Sequence, residues 1–531
     1  MTGKEIDLSK SQYWADQAAR KVIAEWGAKD MFFIEAGITP SGVVHIGNFR
    51  EVITNDIIKR SLEDMGHKVT FLYVWDDYDR FRKVPQGYPK QELLESCIGM
   101  PISDVPDTLG EYESYADRNE KEFEKSLPRV GIEPEFVYQS KRYKELFFKD
   151  DVKHVMINRK AIAKSLDKHR KEPLADDWYP LNVYCKECNK DLTKITGYDD
   201  NYIVDYHCSV CKKDFQTDFS QEGLVNLKWR ADWPMRWNKY DIHFEPGGKD
   251  HSTVGGSFDT SKEIVKELWN RNPPSYLMYD FVTLKGLGGK ISSSKGNVIR
   301  LHDVLEIFSP EIVRFLFAGT RPGSEFSIPF DDNVLKIYED FDALERVYYG
   351  KTEVNDKDKA NAIRIYEMSM VSKDDIQNNM PLQPSFRQLA MLSQIYELDS
   401  ESILTHFDTD NEYDKNRILA RAECAFNWSR NYAPESWRYS KNERVPESIG
   451  SIDDNSKRAF SIISEELHEG IMEEDAGSIV KSAISESGVV PKDFFKLTYL
   501  LLINNEKGPR LSQILSSFPL YSKRILKEAS K

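Results

Sequence analysis

The sequence predicts an α/β protein: a parallel-sheet domain carrying insertions, one of them metal-binding, followed by an all-helical C-terminal domain. Three observations carry this. Short apolar runs bounded by glycine alternate with helical periods up to about residue 330. Four cysteines spaced C-x2-C-x19-C-x2-C fall inside that region. Beyond about residue 331 helical periods recur with few strands. At 531 residues, two or three domains are expected.

Residues 10–26 read as an amphipathic helix within an N-terminal segment, 1–30. Residues 31–37 (MFFIEAG) form an apolar run that ends at Gly37, the length and bounds of a buried strand. Pro40, Ser41 and Gly42 then break the chain. Residues 43–66 read as a helix with Val44, Phe49, Val52, Ile53, Ile57, Ile58 and Leu62 apolar, and Gly66 stops it. Residues 67–75 (HKVTFLYVW) supply a second strand, so the unit should be a right-handed parallel crossover. The sheet domain is expected over 31–330, with a helical, acidic insertion at about 93–125 and the cysteine segment at about 179–219. Residues 274–284 read as one further strand. Ser309-Pro310 opens a helix that runs to Gly319. Residues 331–531 complete the chain as a helical domain without internal repeats.

Two strings carry chemistry. In PSGVVHIGN (40–48), His45 and Asn48 fall three apart in the first turn of the predicted helix, on one face. A helix N-terminus offers unpaired N–H groups and a positive dipole end, which suits a phosphate. Gly47 leaves room for a nucleotide beside the backbone. The competing reading is an ordinary capped helix with a surface histidine. In GGKISSSKGN (288–297), Lys290 and Lys295 flank serines after a glycine-rich turn, so two ammonium groups on a mobile segment can meet a triphosphate. The competing reading is a solvated basic loop. Neither string is a Walker P-loop, because no G-x-x-x-x-G-K-[ST] occurs.

Cys185, Cys188, Cys208 and Cys211 have the spacing of two thiolate knuckles around one tetrahedral ion, with zinc the default metal. His207 could replace one ligand. A disulfide pair is disfavoured, because no signal peptide begins the chain; a cytoplasmic location is expected. No apolar run reaches the length of a membrane span. A net charge of −14 and a pI near 5.4 exclude a globally basic nucleic-acid binder. Residues 149–171 and 507–531 are locally basic, either as RNA-docking surfaces or as solvated faces.

Glu35 at the first strand's end offers an anion for a cationic substrate; a solvent-facing glutamate is the alternative, and Asp76, Asp77 or Asp79 could serve instead. Trp233 and Trp237 read as core. His251, next to G-K-D, is either a site residue or an interior histidine.

HIGN resembles the HIGH signature of class I aminoacyl-tRNA synthetases, and KISSSKG resembles their KMSKS loop. WDDYDRFRKVP (75–85), WRADWPMRW (229–237) and FEPGGKDH (244–251) sharpen the match: over essentially its whole length the chain is similar to class I lysyl-tRNA synthetases. The resemblance implies a Rossmann-like catalytic domain, a helical anticodon-binding domain, and activation of L-lysine by ATP with Mg2+ before transfer to the terminal adenosine of tRNA(Lys). It makes His45, Asn48, Lys290 and Lys295 the catalytic set. Here the usual second lysine position holds Ser293, and Lys295 comes two places later, which leaves open which ammonium carries catalysis.

The same resemblance assigns Pro40, Ser41, Gly42, Gly47, Ile291, Ser292, Ser293 and Ser294 to ATP, and Asp250 to a ribose hydroxyl. Glu35, Gly37, Thr39, Asp77, Trp229, His251 and Tyr279 would form the lysine pocket. Related glutamyl enzymes carry a cation (RFAPSPTG) where this chain has Glu35. The family further implies that tRNA must bind before activation, and a monomer is expected. The alternatives are a glutamyl or glutaminyl relative, a smaller nucleotidyltransferase, and an inactive tRNA-binding relative.

Overall fold

The computed structural model describes residues 6–85, 88–286 and 298–531. Its centre is a five-stranded sheet in which every neighbouring pair is parallel. The middle strand, β1 (Met31–Ile38), pairs along its whole length with β2 (Lys68–Trp75), and β2 pairs with β3 (Glu135–Tyr138). On its other side β1 neighbours the strand Phe244–Gly248, and Ser275–Tyr279 forms the edge. Helix α1 (Trp14–Trp26) precedes β1, and helix α2 (Ile46–Asp64) connects β1 to β2. The crossover therefore has the order that the sequence predicts.

Helix α1 starts later than the pattern suggests, because the Ser11 hydroxyl accepts from the Tyr13 N–H at 3.2 Å and donates to Asp16 at 2.6 Å. That side-chain turn competes with helix at residues 10–13. Residues 274–284 are two strands rather than one. Ser275–Tyr279 joins the main sheet, and Val282–Lys285 pairs in parallel with Phe326–Pro329 in a separate ribbon. Between them the Asp280 N–H donates to the Pro322 carbonyl, which turns the chain out of the sheet.

Between β2 and β3 lie the helices Gln91–Ser96 and Tyr115–Glu124. The cysteine-bearing segment folds as a three-stranded antiparallel sheet, Thr193–Tyr198, Ile203–Cys208 and Lys213–Asp218. From Asn333 onward the described elements are helices, and they share one apolar core with the sheet's helical layer. Arg314, fully buried, joins the two: it pairs with Asp56 of α2 at 2.7 Å and donates to the carbonyls of Val130 and Met368. The Asp16–Arg364 pair, also buried, links α1 to the helical region at 2.7 Å.

Candidate active site

His45 is the N-cap of α2 rather than a member of its first turn. Its ring folds over Gly47 and accepts the Gly47 N–H on Nδ1 at 3.1 Å, while Asn48 Oδ1 accepts the His45 N–H at 3.1 Å. A Cβ at position 47 would sit 2.9 Å from the imidazole, so glycine is required there by the histidine itself. The other leading amides are also engaged: Ile46 N–H donates to the Ile299 carbonyl at 2.8 Å, and those of Asn48 and Phe49 donate to the His45 carbonyl. The expectation of free helix-end N–H groups for phosphate is thus corrected, because the cap satisfies them.

What remains for an anion is side-chain chemistry. With Nδ1 accepting, the neutral ring carries its proton on Nε2, and Asn48 keeps its amide N–H2. Burial holds the His45 pKa below the usual histidine value, so the ring is neutral near pH 7. The preceding loop is pinned from the first insertion: Asn119 donates to the Pro40 carbonyl and Tyr115 OH to the Ser41 carbonyl, both at 3.2 Å. Gly42 lies between these anchors and the cap.

Lys290, Ile291, Ser292, Ser293, Ser294 and Lys295 lie outside the described residues. Their flanks are described: Val282–Lys285 leads toward them, and Ile299, just after them, bonds to the first amide of α2. Asp250 is exposed in the short turn Lys249–His251 that follows the Phe244–Gly248 strand, and Lys249 pairs with Asp280 at 2.9 Å.

Glu35 lies within β1 rather than at its end, because the strand runs on to Ile38, and around it the structure gathers acids. Glu35, fully buried, lies 3.4 Å from Arg236 Nε; the same guanidinium meets Asp76 at 2.5 Å and Asp232 at 3.5 Å. Glu245 is held by the indole N–H groups of Trp233 and Trp237. Asp79 accepts from the Thr39 hydroxyl at 3.1 Å. Glu51 accepts from the Gly37 N–H at 3.2 Å and from Tyr279 OH at 3.0 Å. Gly37 admits no side chain, since a Cβ would come within 2.8 Å of the Val74 carbonyl.

One arginine therefore serves several buried carboxylates. Burial pushes the Glu35 carboxyl well up, opposed by Arg236 and helped by Glu245, Asp76 and Asp232; burial and the Asp76 charge raise Asp79 to about 7; Glu245 rises to about 8, with Arg236 and the two indoles opposing its burial. Burial works against the Arg236 charge, but the carboxylates of Asp76, Glu35, Asp232 and Glu245 outweigh it.

A cavity of about 10 Å³, bounded by Asp76, Asp79, Gln139, Trp229 and Asp232, opens into this cluster. It has roughly the room of one water molecule or one ammonium group. Trp229 stacks on Trp233 at 4.8 Å and covers Arg236 at 5.3 Å, with the His251 ring 6.4 Å away.

Two expected pocket residues are engaged elsewhere. Asp77 accepts the N–H and hydroxyl of Ser140, which anchors the helix after β3. Glu35 is not on the cavity wall; it backs Arg236. Sequence reasoning passed over Arg236, Asp232, Glu245 and Glu51. The signal was in WRADWPMRW, where Asp232 and Arg236 fall one helical turn apart on the face shared with Trp229 and Trp233. Trp233 and Trp237 are buried, as their reading as core requires.

The sulfurs of Cys185, Cys188, Cys208 and Cys211 all lie within 4.8 Å of one another, and no disulfide joins them. Separations of 3.8 Å (Cys185–Cys211) and 3.7 Å (Cys188–Cys208) fit the edges of a tetrahedron with metal–sulfur bonds of about 2.3 Å. His207 points elsewhere, to Asp214 at 2.7 Å, so the four thiols suffice. Among the described residues no helix is long and apolar enough to cross a membrane.

The chain is similar over nearly its whole length to proteins of one kind. Lysine–tRNA ligase of Borreliella burgdorferi is 44% identical over 509 residues, covering 95% of this chain and 96% of that protein. Those of Treponema pallidum and Pyrococcus horikoshii are 40% and 39% identical, each over 95% of this chain and 96% and 97% of their own. Residues 12–372 match the family described as tRNA synthetases class I (K), and the chain belongs to that family.

Proposed function

We propose that the protein is a lysine–tRNA ligase that forms lysyl-adenylate from L-lysine and Mg-ATP and transfers the lysyl group to the terminal adenosine of tRNA(Lys). The observation that carries the reading is a cluster of buried acids that share one guanidinium, Arg236, and border a small cavity. A glutamate or glutamine side chain brings no positive charge to that cluster, whereas a lysine ε-ammonium does. A site that leaves its acids unpaired with neutral isosteres rejects them.

In the first step a lysine carboxylate oxygen attacks the α-phosphorus, and the bond to the bridging oxygen breaks to release pyrophosphate. His45 Nε2–H and the Asn48 amide donate to phosphate oxygens. Pro40, Ser41, Gly42 and Gly47 shape the wall along the nucleotide, Asp250 accepts from the ribose, and Ile291, Ser292, Ser293 and Ser294 follow the triphosphate. Lys290 and Lys295 neutralise the departing pyrophosphate. Loss of one such donor typically costs about 2.7–4 kcal/mol of barrier.

The ε-ammonium enters the slot by Asp79, Asp76 and Asp232, Thr39 and Trp229 line its stem, and Glu35 acts through Arg236. Gly37, Glu51, Tyr279 and His251 surround the α-carbon end. In the second step the 2′-hydroxyl of the tRNA adenosine attacks the acyl carbon and AMP leaves. Positioning and charge supply the chemistry; no side-chain nucleophile is needed.

The four cysteines would hold a structural Zn2+, whose contribution when bound is to fold their segment. The helical region from residue 331 would receive the anticodon, and the protein would work in the cytoplasm as a monomer. The test is pyrophosphate exchange into ATP with each amino acid, with and without tRNA. Exchange with lysine alone among amino acids is expected. Exchange with glutamate or glutamine, or none under any condition, overturns the assignment.

A further inference from the structure

Arg50 is 2% exposed and lies on α2 two residues past Asn48. Among the described residues no carboxylate lies within ion-pair distance of it. Its guanidinium instead donates to four backbone carbonyls: Nη1 to Phe281 at 3.0 Å, and Nη2 to Arg321 at 3.2 Å and to Pro322 and Ser324 at 2.7 Å each. Its plane also lies over the Phe326 ring at 5.0 Å. Burial lowers its pKa only to about 10, so it stays charged at neutral pH.

These carbonyls belong to two separate segments. Phe281 is the joint between Ser275–Tyr279, which ends at the amino-acid pocket, and Val282–Lys285, which leads toward the serine-rich string. Residues 321–324 receive the Asp280 N–H and precede the strand that pairs with Val282–Lys285. A buried charge held by carbonyl dipoles and an aromatic ring, with no ion-pair partner among the described residues, is expensive to place, and a neutral apolar residue of similar length would fill the space more cheaply.

We infer that Arg50 is a positioning residue for the ATP-dependent step, fixing the distance between the His45–Asn48 cap and the strand that carries the second nucleotide loop. The inference rests on the proposed function for its substrate but not for its geometry. Lysine keeps the charge and loses the fork, so Arg50→Lys separates the two roles.

The experiment measures Arg50→Lys and Arg50→Met for thermal midpoint, for equilibrium ATP binding, and for kcat and KM of lysine-dependent pyrophosphate exchange. Misplacement of about 1 Å costs roughly 100-fold in rate. The expected result is a loss of about that size in kcat, or in kcat/KM for ATP, in both variants, with the lysine KM within about twofold of wild type. A folded variant with unchanged ATP parameters overturns the inference, as does an equal rise in the KM of lysine and ATP or full activity in Arg50→Lys. If Arg50→Met does not fold, Arg50→Lys decides. Absence of exchange in the wild type with tRNA present would defeat the proposed function instead, and ATP binding would still test Arg50.

Discussion

The acid cluster makes lysine affinity a function of pH in a range where the substrate itself does not change charge. Lysine's ε-ammonium, with an ordinary pKa of about 10.4, stays protonated below pH 9. Asp79 does not stay ionised: burial and the Asp76 and Asp232 charges raise its carboxyl from 3.8 to about 7, against the Thr39 hydroxyl and Arg82, which lower it. Only the ionised form can receive an ammonium.

With a midpoint near 7, the ionised fraction is about nine-tenths at pH 8 and about one-tenth at pH 6, so lysine binding should weaken about tenfold over that span, or about 1.4 kcal/mol. Below pH 6 it should fall about tenfold further per unit. The linked stability has the sign of an acid whose folded pKa is raised. The native state holds a proton the unfolded chain has lost, so stability of the unliganded protein falls as pH rises from about 4 to 7, by up to about 4 kcal/mol for this group. Lysine should reverse part of that loss.

The assay is equilibrium dialysis of labelled lysine, with thermal midpoints measured with and without lysine, from pH 5.5 to 8.5. Affinity should climb to a plateau near pH 8, and the stabilisation by lysine should be larger at pH 8 than at pH 6. In Asp79→Asn both dependences should flatten. An affinity that is level across the range in the wild type would refute the reasoning, and so would an unchanged slope in Asp79→Asn.

Glu35→Gln removes a fully buried carboxyl 3.4 Å from Arg236 and leaves the cap untouched, so the lysine KM should rise far more than the ATP KM; equal rises would separate Glu35 from the pocket. Cys208→Ser should abolish stoichiometric metal, read by a chromogenic chelator after protein digestion, and expose the segment around 185–218 to proteolysis. Structural zinc sites contribute about 10–16 kcal/mol, so a variant with full metal content and unchanged proteolysis would show that Cys208 is no ligand.

The elements that rest on short-range rules were legible in the chain. Strand β1, helix α2 and strand β2 follow from apolar period and a glycine stop, and the thiol quartet follows from spacing alone. The strand expected over 274–284 was not legible as two, because the break at Asp280 is made by a carbonyl from Pro322, remote in sequence. The cap of α2 was half legible. Residue types at 45 and 48 announce a helix start, but that their side chains use up the leading amides depends on the ring's rotamer and on Ile299 reaching Ile46.

The order of elements, the family signatures and the metal motif are properties of neighbours along the chain, where backbone preference and ligand spacing act over a few bonds. The charge balance of the pocket is different in kind. Glu35, Glu245 and the Asp232–Arg236 pair come from two strands and a helix, and each acquires its shifted ionisation only when folding removes water and sets them a few ångströms apart. Which acid backs an arginine and which faces an open slot is therefore decided by packing, as is the clasp of Arg50 on distant carbonyls.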